Sequence, residues 1–375
     1  MVERLTETHL QSLLIGAEIL GCGGGGPPEW VSGMISNVLK QGKQFVLIDP
    51  EEIPDDKLVV IVGRVGGGIS EEMERKVLRL KKIHENPEFI AVEELSKFLG
   101  EKPYAFLPSE IGAGNVALPL CIAAMNNAVT IDGDACGRAK PEIAISTTNI
   151  FGLSPTPLAI VSPFGDVMIL KEAVDDSRVE DICRQMAVVS GGLCGVCRLP
   201  VRGKDVKKAI IHDSISRAIA IGKAILESQT RNEDPVKTFI EVSGGYELFR
   251  GIVEDWTRTK AGAFMEGYVF IKGIEKYSGH RMKVWYKNEF LISWLNDEPF
   301  VTCPDLICIV DSRTSRGLSN WINNVKDNIG KRVVVVGIKC ADVWRTDKGL
   351  QLFGPEHFGF DIKYIPIEKL VDLKL

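Results

Sequence analysis

The chain has few of the sequence patterns that would assign it at once to a familiar class of enzyme. Its five histidines form neither an H-E-x-x-H nor an H-x-H pattern, which argues against the common sites of metal-dependent hydrolases. No G-x-S-x-G elbow for a serine nucleophile is present. The glycine-rich segment 21–26 lacks the Lys-Ser/Thr pair of a phosphate-binding loop and follows a predicted helix. We therefore expect no nucleotide cofactor.

Long apolar runs and a strong net charge are also missing. No window reaches the ~18 uncharged apolar residues that cross a membrane, and charged residues interrupt the N-terminal segment where a signal peptide would be apolar. A formal net charge of −5 does not favour binding to nucleic acid or to an anionic membrane. The nine cysteines are scattered through apolar runs, as reduced and buried thiols are. These features predict a cytoplasmic protein.

The length of 375 residues predicts two domains, because a single core stops growing at about 250–300 residues. In the first part, apolar strand segments such as QFVLID and KLVVIVGRVGGG alternate with helical segments, including Leu5–Leu20 with Thr6 as its N-cap. This alternation predicts an α/β domain with a largely parallel sheet over residues 1–168. Short strands separated by Gly, Asn and Asp predict a β-rich α+β domain over residues 169–375.

The glycine-rich segment GCGGGG is the first candidate for ligand binding. Consecutive glycines allow positive φ angles and bring backbone N–H groups close to a ligand with no Cβ in the way. A flexible helix C-cap is the alternative, but the entropic cost of four consecutive glycines favours a role near a ligand. We therefore predict that Gly23, Gly24, Gly25 and Gly26 bind the substrate.

A second candidate lies in the segment SEIGAGN, where a predicted strand ends. Ligand sites in parallel α/β sheets gather at the carboxyl ends of the strands. Glu110 is placed to act there as a general base or a metal ligand, and Asn115 to orient a carbonyl group. The alternative for Glu110 is a cap of the following helix.

The segment IDGDACGRAKPE concentrates acids, an arginine and glycines at the end of another predicted strand. Asp132 and Asp134 flank one residue, and two adjacent carboxylates raise the pKa of one or bind a cation. Arg138 is suited to hold a substrate carboxylate, and it would pair with Glu142 if the stretch were helical. The alternative is an acidic turn whose charge Arg138 balances.

The cysteines allow two further hypotheses. Cys194 and Cys197 form a C-x-x-C pair, which can bind zinc or form a disulfide, but no second ligand pair stands at a recognisable spacing. Cys22 lies in the glycine-rich segment and is a candidate nucleophile, although the end of a helix raises the pKa of a thiol.

These segments together resemble a known family. LTETHLQSLLIGAEILGCGGGG, LPSEIGAGNVALPL and IDGDACGRAKPEIAIST resemble the N-terminal domain of the S-methyl-thiohydantoin desulfurase-like family. WTRTKAGAFMEGYVFIKG, YKNEFLISW, VTCPDLICIVD and GLQLFGPEHFGFDIKYIP resemble its C-terminal domain. The resemblance implies an α/β domain followed by a β-rich domain and a link to hydantoin and oxoprolinase-type metabolism. The named activity removes sulfur from a thiohydantoin ring carbon by hydrolysis.

The resemblance also implies site residues in both domains. The positions that match its motifs are the glycine-rich segment, Glu110, Asn115, Asp132, Asp134, Arg138, Glu142, Asn288, Glu289, Asp305, Gly354 and Pro355. Lys140 stands where the family pattern leads us to expect an aromatic residue, which changes the polarity of the pocket and leaves the substrate open.

The function that follows is hydrolysis of a C–S or C–N bond in a small cyclic amide or thioamide, such as a thiohydantoin or hydantoin. In this hypothesis Glu110, Asp132, Asp134 and Glu142 are the catalytic acids, and a divalent metal at the acidic cluster would activate the water instead. The alternative is a non-catalytic ligand-binding or accessory subunit of a hydantoinase- or oxoprolinase-type system. We expect a homo-oligomer, and in the alternative a hydantoinase-type enzyme as partner.

Overall fold

The computed structural model describes residues 2–66, 69–261 and 264–374. Its strands are built into two eight-stranded sheets and one small two-stranded sheet. Two glycines of the predicted strand segment KLVVIVGRVGGG and two residues of WTRTKAGAFMEG lie outside the described residues. No described helix is both long and apolar enough to cross a membrane.

Helices and strands alternate through the first half of the chain, and strands dominate the second half. The helices are α1 (Glu7–Leu20), α2 (Glu29–Lys40), α3 (Glu71–Val77), α4 (Pro87–Leu99), α5 (Ala113–Met125), α6 (Thr147–Ile150), α7 (Asp176–Val189), α8 (Gly203–Val206), α9 (Ser214–Thr230), α10 (Pro235–Ser243), α11 (Asp347–Phe353) and α12 (Ile367–Lys374). The strands of the first half are β1 (Val2–Leu5), β2 (Phe45–Ile48), β3 (Leu58–Gly66), β4 (Ala105–Leu107), β5 (Val129–Ile131), β6 (Gly133–Asp134), β7 (Leu158–Val161), β8 (Val167–Leu170), β9 (Leu193–Arg202) and β10 (Ile211–His212). Those of the second half are β11 (Tyr246–Trp256), β12 (Thr259–Ala261), β13 (Phe264–Gly273), β14 (Arg281–Lys287), β15 (Glu289–Leu295), β16 (Glu298–Thr302), β17 (Leu306–Asp311) and β18 (Arg332–Ile338).

The first sheet has the order β1-β2-β5-β4-β3-β9-β7-β8. The pairs β2–β5, β5–β4 and β4–β3 are parallel, and the outer pairs are antiparallel. Helices α2, α4 and α5 pack on its apolar residues. The predicted α/β fold is confirmed as a mixed sheet with a parallel centre, because strands that are buried on both faces need helices to cover them.

Strand β9 lies inside this first sheet, between β3 and β7. The C-x-x-C pair is part of it, and the side chains of a strand alternate between its two faces. Cys194 therefore packs in one apolar cluster and Cys197 in another. All nine cysteines are buried free thiols, and this pair has no common ligand position.

The second sheet is antiparallel and has the order β16-β15-β14-β13-β11-β18-β17, with β12 paired to β13. One of its faces carries Trp256, Tyr286 and Phe290 in a core of its own, closed by α12. The prediction of a β-rich second half is confirmed. The strand-like runs YELFR, GYVFIKGI and RVVVVGIKC lie in β11, β13 and β18, which pair with one another in this sheet.

Helices α1 and α9 hold the two halves together. They approach so closely that a Cβ atom on Gly16 would lie 1.9 Å from the carbonyl oxygen of Ala218, and one on Gly222 would lie 1.8 Å from that of Ser12. The first sheet also takes β9 from beyond residue 168, so its strands come from both of the predicted segments.

Two helices differ from the predictions in extent. Thr6 caps α1 as predicted, accepting a hydrogen bond from the N–H of His9. The charged segment from Glu71 to His84 predicts a surface helix, but α3 ends at Val77 and has no buried residue. Charged residues at helical spacing fill that segment, but no apolar face is there to pack, so the helix stops after two turns.

Candidate functional site

A cavity of about 390 Å³ lies where the two sheets meet. The N-terminal half contributes the glycine-rich segment, the end of β4, the start of α5 and the segment around Lys140. The C-terminal half contributes the starts of β13 and β15. Cavities of this size hold small molecules, and this one combines aromatic walls with a few charged groups.

Glu110 follows β4, and its side chain lines the cavity. One of its carboxylate oxygens accepts a hydrogen bond from the Lys140 N–H at 2.6 Å, and the other accepts one from the Asn115 side-chain amide. Burial raises the pKa of Glu110 to about 7, although Lys140 and Asn115 act in the opposite direction. Near neutral pH the carboxyl group is therefore present in both forms, as a general base must be.

Glu289, the first residue of β15, contributes a second carboxyl group to the cavity wall. Its side chain is 2% exposed, and its Oε2 has no hydrogen-bond partner among the described residues. Burial, and next the negative charge of Glu110, raise the pKa of Glu289 well above its usual range. When the ionised forms of two carboxyl groups repel each other, their pKa values move apart, so that one group serves as an acid and the other as a base.

A recess of about 80 Å³ extends the cavity toward the first sheet and contains two unpaired cations. Arg198 is 3% exposed, donates through Nη2 to the Ser109 hydroxyl at 2.9 Å, and has no partner for Nη1 among the described residues. Lys140 is also buried, and burial together with the charge of Arg198 lowers its pKa. Neither forms an ion pair with a described carboxylate, so the recess favours an anion.

The other two arginines of the recess are already paired. Arg64 donates to the buried carboxylate of Glu88, and Arg184 pairs with Glu180. Their charges are balanced within the protein, so the unbalanced positive charge of the recess comes from Lys140 and Arg198.

Aromatic side chains form the outer wall of the cavity. Trp30 and Trp321 meet edge to face, with ring centroids 5.3 Å apart, and Phe264 of the second sheet also lines the cavity. Flat apolar walls of this kind suit a small planar ring.

The glycine-rich segment separates two cavities. Gly25 and Gly26 line the cavity just described, and Gly23, Gly24 and Gly26 line another of about 350 Å³ on the opposite side. A Cβ atom on Gly24 would lie 1.9 Å from Oε1 of Glu289, so only glycine allows this approach.

The family models match almost the whole chain. The model described as the S-Me-THD-like N-terminal domain matches residues 8–172, and the one described as the S-Me-THD-like C-terminal domain matches residues 174–367. The chain belongs to the S-Me-THD-like family.

The fold of this S-Me-THD-like protein is also found in a crystal structure of a protein from Chromobacterium violaceum. The two share 20% sequence identity with a TM-score of 0.79, and the alignment covers 97% of this chain and 100% of that chain. At this identity the similarity concerns the fold alone. No curated protein matches the chain with significance.

Several predicted site residues of the S-Me-THD-like protein share the cavity. Glu110, Asn115, Gly25 and Gly26 line it, together with Glu289 of the C-terminal half. Gly23 and Gly24 lie behind this wall, in contact with Phe290 and Glu289 respectively.

Asp132 and Asp134 bind backbone groups and lie outside the described lining of the cavity. Asp132 accepts hydrogen bonds from the backbone N–H and the hydroxyl of Ser216 in the first turn of α9. Asp134 accepts from the N–H groups of Cys136 and Gly137 at 2.8 and 2.7 Å, and burial raises its pKa to about 6. The two carboxylates therefore share no ligand.

Arg138 is buried and faces away from the cavity. Its guanidinium group donates to the backbone carbonyls of Ala139, Asp305 and Phe290, so it connects the two halves of the chain. The stretch from Arg138 to Glu142 is not helical, and the ion pair that a helix would have allowed between them is absent from the described contacts.

Glu142 lines the recess and contacts two residues of the C-terminal half, Lys287 through an ion pair and His357 through a hydrogen bond. Lys287 donates to one of its oxygens at 2.7 Å, and His357 contacts the other at 2.9 Å. Although burial acts in the opposite direction, these two hydrogen bonds lower the pKa of Glu142 to about 2.

The described residues contain no group of three or more His, Cys, Asp or Glu side chains placed to hold a metal ion. The divalent metal at the acidic cluster therefore stays a prediction.

Two important residues of the site escaped residue-level reasoning. Glu289 was identified only through the family resemblance, because it opens an apolar strand where a carboxyl group has no local role. Arg198 lies within the apolar strand β9. A charged residue in such a strand is the sequence feature that could have indicated a buried functional group.

Proposed function

We propose that this S-Me-THD-like protein hydrolyses a C–S or C–N bond of a small cyclic amide or thioamide, such as a thiohydantoin or hydantoin. The observation that carries the proposal is the pair Glu110 and Glu289, two buried carboxyl groups with raised pKa values in one cavity. Paired carboxyl groups of this kind supply a base and an acid to one reaction.

The ionised form of Glu110 is the base. It takes a proton from a water molecule, and the oxygen forms a bond with the ring carbon. Glu289 is the acid, because burial raises its pKa and favours its protonated form, and it gives its proton to the departing sulfur or nitrogen. One water is consumed: breaking an exocyclic C–S bond releases a thiol, whereas breaking a ring C–N bond opens the ring and leaves the protonated nitrogen in the product.

The rest of the cavity orients the ring. Trp30, Trp321 and Phe264 contact its faces, and the Asn115 amide holds the base in place through a hydrogen bond. Lys140 and Arg198 bind an anionic substituent of the ring in the recess. Arg138 does not take this role in the proposal, because its guanidinium group donates to three backbone carbonyls.

The test is turnover of 2-methylthio-hydantoin and of hydantoin, each with and without a carboxylate-bearing substituent. Released thiol is measured with a thiol reagent, and ring opening is measured by mass spectrometry. Hydrolysis of any of the four supports the proposal. Binding without turnover throughout the range from about pH 5 to pH 9, which brackets the pKa of about 7 of Glu110, contradicts it and favours the ligand-binding or accessory role.

Replacing Arg198 with Met is expected to raise KM for a ring with a carboxylate substituent by about 10- to 100-fold, because a charged hydrogen bond is lost. For an uncharged ring KM is expected to change by less than about threefold. Arg202→Met is the matched control, since Arg202 lies on the same strand but pairs with Glu101 at the surface. An equal loss of affinity for the charged and the uncharged ring would contradict the anion-binding role.

A further inference from the structure

The glycine-rich segment begins with a cysteine that the proposed reaction does not use. Cys22 has φ +49°, a left-handed conformation that residues with a Cβ seldom adopt. Its sulfur lies 3.7 Å from the sulfur of Cys308 on β17, and both side chains are buried. The two residues are 286 positions apart in the sequence, so this contact joins the two halves of the chain.

The electrostatic surroundings of this pair favour a thiolate. Arg138 is buried and forms no ion pair with a described carboxylate, and the groups whose charge acts on it include Cys22 and Cys308. Burial opposes ionisation of Cys22, yet the hydrogen bond from Cys308 and the charge of Arg138 together lower its pKa. A buried cation needs a counter-charge, and a thiolate at Cys22 supplies one.

The sulfur of Cys22 is buried, but the chain directly after it borders a cavity. Gly23 and Gly24, which follow Cys22 directly, line the second cavity of about 350 Å³, which is open to solvent. With no Cβ at either position, that wall is thin. Because the sulfur is buried, we expect only a reagent as small as a hydroperoxide to reach it.

We propose that Cys22 and Cys308 are the site of a reversible disulfide that forms when the protein meets a hydroperoxide. The Cys22 thiolate attacks one peroxide oxygen, so that an S–O bond forms and the O–O bond breaks, with release of one water or alcohol. The Cys308 thiol then attacks the sulfenic sulfur, so that the S–S bond forms and the S–O bond breaks, with release of one water. The two thiols together lose two electrons, and the hydroperoxide gains them.

The disulfide would act on the candidate site through the glycine-rich segment. The two sulfurs must move from 3.7 Å to about 2.05 Å apart, which shifts the backbone of Cys22. The Cys22 carbonyl accepts the N–H of Phe290 at 2.6 Å, and Gly24 packs on Glu289. Moving Cys22 therefore displaces the proposed acid and lowers turnover, an effect that rests on the proposed function.

The experiment treats the full chain with hydrogen peroxide and maps its peptides by mass spectrometry without reduction. A linked peptide that contains Cys22 and Cys308 is expected, with loss of two of the nine thiols and recovery on addition of dithiothreitol. Cys121→Ser is the matched control, because Cys121 is buried in apolar surroundings, and it should leave the linkage unchanged. Cys22→Ser and Cys308→Ser should each abolish it.

The mapping of the unaltered chain decides the proposal even if a serine variant fails to fold. Recovery of the Cys22 and Cys308 peptides unlinked, or linkage of either to other cysteines in equal yield, would overturn it. The oxidised protein should also unfold at a higher denaturant concentration, because the disulfide closes a long loop. Since neither readout measures hydrolysis, failure of the proposed function leaves this test intact.

Discussion

Replacing Glu110 with Gln is expected to lower kcat/KM for ring hydrolysis by roughly 10²- to 10⁴-fold, the usual contribution of a general base. Glutamine keeps the shape of the side chain but accepts at only one of its two ends, so it keeps one of the hydrogen bonds from Lys140 and Asn115 and cannot take a proton. In the unaltered protein kcat/KM should rise with pH through about 7, the pKa of Glu110. The variant should lose this rise.

The same change is expected to stabilise the protein at alkaline pH. The folded-state pKa of Glu110 is about 7 against a usual value of 4.5, so the unfolded chain releases this proton first. The unfavourable contribution is absent below about pH 4.5, grows as pH rises to about 7, and then stays near 3 kcal/mol. Removing the titrating group should therefore raise the free energy of unfolding at pH 8 and leave it nearly unchanged at pH 4.5.

Urea unfolding at the two pH values, together with steady-state kinetics, measures both effects. Glu93→Gln is the control, because Glu93 is exposed on α4 and distant from the described lining of the cavity. Full activity of Glu110→Gln would remove Glu110 from the mechanism. Equal stabilisation at both pH values would show that its carboxyl group does not titrate as the structure indicates.

Replacing Asp305 with Asn is expected to lower the free energy of unfolding by about 3–5 kcal/mol, the typical cost of breaking a buried ion pair. The carboxylate is fully buried and accepts four hydrogen bonds, two at each oxygen. Its donors are the N–H groups of Cys340 and Ile367, the hydroxyl of Tyr364 and the guanidinium of Arg345. An amide can accept at only one of its two ends, so two of the donors lose their partner.

Asp342→Asn provides the comparison for this prediction. Asp342 lies nearby in sequence but pairs with Lys339 at the surface, and such changes usually remain within about 0.5 kcal/mol. Chemical denaturation of the two variants should give clearly separate midpoints. If both variants unfold with the same midpoint as the unaltered protein, the hydrogen bonds of Asp305 contribute little to the fold.

Much of the fold could be predicted because local patterns and tertiary structure agree. The capped helix at Thr6 and the apolar strands β2 and β3 follow from spacing alone, since their partners need only be apolar. The position of β9 could not be predicted. This strand pairs with β3 and β7, which precede it by many residues, and local sequence does not specify such long-range partners. The end of α3 depended in the same way on an absent packing partner.

The candidate site was only half accessible to sequence reasoning. Glu110 was found because a carboxyl group at the end of a buried strand is a recognisable feature. Asp132, Asp134 and Arg138 are also charged residues beside a predicted strand end. Each of them forms hydrogen bonds to groups outside the cavity, most of them backbone groups. Composition indicates where charge is concentrated, whereas the burial and the neighbours that set its chemistry depend on long-range packing.

The position of the proposed base and acid in different halves of the chain also has an evolutionary consequence. The two family models meet near residue 173, where a recombination event would exchange one complete half for that of a relative. A chimaera made there would combine Glu110 from one parent with Glu289 and strand β9 from the other. We therefore expect recombination between the two halves to be disfavoured, and substitutions on the two sides of the cavity to be selected together.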